Sequence, residues 1–117
     1  MIHRLALAAL ALSGPALAQE TAPPPLSLEQ RTALRCSAAF AVGAMLQQRG
    51  EHADWPKLAT RGREFFVRVS AQVMDETGRT REQVADELAA QARELSDPTT
   101  LGAAIPPCLL LLDASGI

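Results

Sequence analysis

The apolar and polar positions of the chain divide it into helical stretches separated by turn chemistry. In LEQRTALRCSAAFAVGAMLQQ, Leu34, Ala38, Ala41 or Val42 and Met45 recur at three-to-four spacing, with Cys36 and Phe40 beside the stripe. That is the period of a helix with one apolar face. Ser27 followed by Gln30 makes a capping box ahead of it, and Gly50 stands where a helix end needs a residue free to adopt positive φ. A first helix is predicted from Leu28 to about Arg49.

A second start is read at Asp54, whose carboxylate can accept from free N–H groups of the next turn, with Pro56 tolerated in that turn. Leu58, Gly62, Phe65, Phe66, Val69 and Val73 then keep helical spacing, and Gly78 ends the segment. Thr80 and Gln83 form another capping box before Val84, Leu88, Ala92 and Leu95, a third helix that stops ahead of Asp97-Pro98. The link between the second and third helices is short, so they should be antiparallel neighbours. In the tail, DPTTLGAAIPPCLLLLDASGI, the pattern predicts one helical turn after Pro98, a break at Gly102, and a short helix opened by Pro106 and closed near Asp113. No stretch alternates apolar and polar residues in the manner of a strand. The expected fold is all-α: a small bundle of three main helices plus a short C-terminal helix.

The segment ahead of the first helix sets the compartment. In MIHRLALAALALSGPALAQE a basic Arg4 precedes a run of Leu and Ala, Gly14-Pro15 breaks it, and Ala16-Leu17-Ala18 offers a cleavage site. This reads as a signal peptide over residues 1–18, too short in its apolar core to span a membrane. No cysteine follows the expected cut for lipid attachment. Residues 19–27, with Pro23, Pro24 and Pro25, read as a Pro-rich tether, and residues 28–117 as the helical domain. The expected location is the periplasm, an oxidising compartment. With 11 basic and 13 acidic side chains interspersed, a formal net charge of −2 provides no footprint for nucleic acid. TREQVADEL has the outward look of a helix-turn-helix opening, but an exported acidic chain makes a solvated helix face the better reading.

The cysteines carry the clearest chemistry. Cys36 and Cys108 lack a C-x-x-C partner, a haem-attachment pattern and the paired ligands of a zinc site, and His52 is the sole histidine after His3. A thin helical core in an oxidising compartment calls for a staple, so the two are expected to form one disulfide pinning the last helix to the first. Four leucines in a row, Leu109, Leu110, Leu111 and Leu112, occupy every side of one turn, so at least one should be exposed or at an interface. They are the candidate interaction surface. Glu51, His52 and Asp54 resemble a metal-binding cluster in composition, although capping duty and a solvated turn account for them. Gly43 and Gly62 mark either close helix crossings or hinges. No catalytic set and no cofactor site is read from the residues.

LRCSAAFAV, GREFFVRVSAQVMDETGRTREQV and PPCLLLLDASGI, taken in order, give the chain a resemblance to small exported helical proteins of alphaproteobacteria, sphingomonads in particular. The resemblance implies an exported helical domain with two cysteines and transfers no site. A second similarity, to small disulfide-linked acid-stress chaperones of the periplasm, is one of architecture alone. The functional expectation is a non-enzymatic periplasmic protein, stress-related or chaperone-like in one version, that binds another protein or an apolar ligand between its helices. The rival is a small periplasmic enzyme or metal-binding protein centred on Glu51, His52 and Asp54.

Overall fold

A computed structural model describes residues 23–117 together with Gly14; the expected signal peptide and the first residues of the tether otherwise lie outside the described residues. Among the described residues four helices follow one another: α1 (Leu28–Gln48), α2 (Ala59–Thr77), α3 (Arg81–Leu95) and α4 (Pro98–Ala114). The fold is the expected all-α bundle, with Cys36 and Cys108 joined in a disulfide.

Both predicted capping boxes form. The Ser27 and Thr80 hydroxyls accept from the backbone N–H of Gln30 and Gln83, whose side chains accept in return from the cap N–H groups. Gly78, at φ 72°, closes α2 in the left-handed region. The second half of the tether belongs to the domain: the Pro24 carbonyl accepts from Arg79 Nη2 at 2.8 Å, and Leu26 packs against the core.

The start of α2 differs from the expectation. Asp54 does not cap it; the helix begins only at Ala59, with Leu58 at the cap position and no side-chain cap. The Gln47 side chain does the work from α1, accepting from Leu58 N at 3.0 Å and donating to the Pro56 carbonyl at 2.9 Å. These bonds hold residues 52–58 as an irregular loop, which removes the reason for a helix to start at Asp54.

α4 also differs, being one helix of 17 residues rather than a turn, a break and a short helix. Pro106 and Pro107 remove the N–H groups that would bond the carbonyls of Gly102 and Ala103. All four residues are exposed, so water can take up those carbonyls. Leu101, Ile105, Cys108 and Leu112 are buried on one stripe running through the prolines. Burial of that stripe outweighs the loss of two exposed hydrogen bonds.

α1 is the central element and packs against the other three helices. Its middle, Cys36 to Phe40, is buried at five consecutive positions, whereas Ala41 and Met45 of the predicted stripe face outward. A helix contacted from several sides has no single apolar face, so periodicity misjudges it. The glycines prove to be crossings. A Cβ on Gly62 would lie 2.9 Å from Phe40 Cβ, and one on Gly43 would lie 2.7 Å from Leu58 Cδ1. Gly62→Ala is therefore expected to destabilise: Phe40 Cβ is anchored to backbone and cannot swing away, and overpacking of about 1–3 kcal/mol exceeds the helix-propensity gain of about 1 kcal/mol. Gly102→Ala, with nothing within 4 Å of the new methyl, should raise stability by about 0.5–1 kcal/mol. Thermal unfolding followed by circular dichroism reads both, and a Gly62→Ala variant as stable as the parent would contradict the close crossing.

Candidate apolar docking surface

α2 and α3 each pack mainly on α1 and only lightly on one another. Between them runs an open trough of about 520 Å³, walled by Phe66, Val67, Ser70, Ala71 and Met74 from α2 and by Arg81, Val84, Ala85 and Leu88 from α3. The spacing on each wall is helical, so the wall residues of each helix share one side of it. Val67 is 61% exposed at the rim. Phe66 and Val67 also line a groove of about 400 Å³ on the α1 side of α2, with Ala41, Ala44 and Arg63 among its walls. Phe66 and Val67 thus form an apolar ridge with a depression on either side.

The polar groups of this surface are few. Arg63 is the charged residue of one groove and Arg81 that of the other. Among the described residues, Arg35, Arg61, Arg68 and Arg79 donate to protein acceptors, while Arg31, Arg49, Arg63, Arg81 and Arg93 make no such contact; of these five, Arg63 and Arg81 are the ones that wall the two grooves beside the ridge. Among the described residues the buried Ser70 hydroxyl has no hydrogen-bond partner.

The leucines read from the sequence are dispersed by the turn they occupy. Leu112 is buried, Leu109 and Leu111 are partly buried against the core, and Leu110 is 73% exposed. Leu110 and Leu111 border a groove of about 480 Å³ that also takes in Thr32, Arg35, Pro107 and the disulfide. Arg35 is already engaged there, donating to Gln91 and pairing with Glu94, each at 2.9 Å. The far end of α4 is tied to α2 by Arg61, which pairs with Asp113 at 2.9 Å and donates to the Ile117 carbonyl. The Cys36–Cys108 bridge, with Cα atoms 5.2 Å apart, and this clamp are what hold α4 in place beside its buried stripe.

Glu51, His52 and Asp54 are not brought together as a ligand set. The His52 ring lies flat on Trp55, centroids 3.8 Å apart and planes within 7°, and its backbone has a positive φ of 51°. Glu51 and Asp54 are exposed. Among the described residues no group of three His, Cys, Asp or Glu side chains is placed to share a metal ion.

Two carboxylates sit below their usual range. Glu76 is held down first by a hydrogen bond from the Gln30 side chain on α1 and then by one from Gln72. Asp97 is held down first by the Thr100 backbone N–H and then by its hydroxyl, the cap of α4.

Val67 and Arg81 were not singled out from the sequence. The available signal was the pair Phe66-Val67: with Phe65, Phe66 and Val69 on the core stripe, Val67 falls off it, but one apolar residue off a stripe is ordinary, and only its neighbours in space make it part of a patch. Among the described residues no single helix is long and apolar enough to cross a membrane. Compared with protein-family models, curated proteins and solved structures, the chain matches none.

Proposed function

We propose that the chain is a non-enzymatic periplasmic binding protein that holds another protein or an apolar ligand against the surface between its helices. The trough between α2 and α3, apolar on both walls and rimmed by exposed Val67, carries the reading. Apolar concavities with few, placed polar groups are where proteins take ligands and partners. The disulfide is compatible with an oxidising compartment. Val67→Asp is expected to reduce the binding of a hydrophobic reporter dye at pH 7 while leaving the helical content and unfolding midpoint unchanged. Unaltered dye binding would remove the trough from the reading.

An acid-stress version adds a pH dependence whose sign follows from Glu76 and Asp97. Both are more acidic in the folded chain than in the unfolded one, so their contribution to stability is full at neutral pH and is lost as pH falls through the carboxylate range, below about pH 4. Protonating Glu76 weakens a link between α1 and α2; protonating Asp97 weakens the α4 cap. The unfolding midpoint should drop between pH 5 and pH 2, less steeply in Glu76→Gln, and dye binding should rise over the same interval. Dye fluorescence that stays flat from pH 7 to pH 2 would sink the acid version.

A further inference from the structure

The walls of the α2/α3 trough are themselves helices, and the depression is open along its length. On α2 its wall runs from Phe66 to Met74 and on α3 from Arg81 to Leu88, roughly 12 Å or two helical turns. Small apolar ligands bind where most of their surface is enclosed, and an open trough leaves one side of any occupant in water. A helix with one apolar stripe suits that geometry, because its polar side is meant to stay wet. Arg81 is the trough's charged wall residue and makes no ion pair among the described residues, and Arg63 has the same place in the adjoining groove. A guanidinium without a partner at the rim of an apolar surface selects for a carboxylate at the edge of the occupant's stripe.

We propose that the trough between α2 and α3 docks an amphipathic helix of a partner polypeptide, with apolar side chains seated between Val67 and Ala85 and an acidic side chain set against Arg81. The inference rests on the binding reading above and names the class of partner for that site.

The test uses the full chain and a fluorescent synthetic helix of about four turns, with leucines at i, i+3 and i+7 and a glutamate flanking each end of the stripe. A second peptide carries lysine in place of both glutamates. The glutamate peptide should bind, and the lysine peptide should bind roughly tenfold more weakly at low salt, with the gap closing toward 1 M salt. Arg81→Glu should invert the preference. Val67→Asp and Ala85→Asp should each abolish binding, and Met45→Asp, an exposed apolar position of α1 away from the trough, should leave it unchanged. Helical content and unfolding midpoint show that each variant is folded. Equal affinity for the two peptides, or binding that survives both trough variants, overturns the proposal. Failure of both peptides to bind while dye binding still responds to Val67→Asp overturns the helical partner and leaves the binding reading standing. Displacement of the dye by dodecanoate but by neither peptide would overturn it in favour of a small amphiphile.

Discussion

Replacing Cys36 and Cys108 together by alanine is expected to cost about 4 kcal/mol of unfolding free energy, the chain-entropy value for a closed loop whose ends are 72 positions apart. That is a large part of what a domain of this size has. The bridge joins the middle of α1 to α4, and α4 has few other anchors: its buried stripe, and the Arg61 contacts with Asp113 and Ile117 at its end. Without the bridge, the unfolded chain regains the freedom of the whole α2–α3 segment. Urea unfolding of the double variant should coincide with that of the parent in reducing buffer, both well below the oxidised parent. Intact mass should rise by 2 Da on reduction, a change expected of any single disulfide. Oxidised and reduced chains that unfold within about 1 kcal/mol of each other would show that α4 is held without the staple.

A comparable loss, about 3–5 kcal/mol, is expected for Phe40→Ala. Phe40 is 0% exposed on the central helix, meets the ring of Phe65 edge-on at 5.3 Å and 81°, and lies over Gly62. Because Gly62 already lets the backbones of α1 and α2 approach as closely as they can, the two helices cannot move together to fill the space, and a cavity stays. Phe66→Ala, a half-buried ring at the trough, should cost distinctly less, since part of its surface already faces water. Denaturant titration distinguishes the two; equal losses would mean that the α1/α2 crossing is not the centre of the core.

These two effects differ in how far they could be seen in advance. The disulfide was legible from residue types: two cysteines, no pattern for any other use, and an expected oxidising compartment. Helix ends were legible where the capping groups are local, as at Ser27 with Gln30, Thr80 with Gln83, and Gly78. Asp54 misled because Gln47, eleven positions before Leu58 and on another helix, supplies the bonds instead. Proline chemistry misled in α4 for a related reason. The local penalty at Pro106 and Pro107 is real, but it falls on exposed backbone while the buried side of the same helix continues without interruption.

The α2/α3 trough was not among the surfaces read from the sequence, and the leucine run lies on a different groove. Four adjacent leucines cannot all face inward, and Leu110 is the one left outside. Which side of the bundle carries the apolar trough could not be read from spacing, since it arises where α2 and α3 pack mainly on α1 and only lightly on each other.

By itself, then, the order of residues determined the all-α class, the pairing of its two cysteines, and those helix boundaries whose caps lie within four residues. Tertiary structure alone decided the central role of α1, the unbroken run of α4 and the trough rimmed by Val67 and Arg81. The division has a physical cause. Capping and periodicity act over one or two turns of the same helix, whereas burial is shared among elements far apart in sequence, and where the two compete the larger buried area wins.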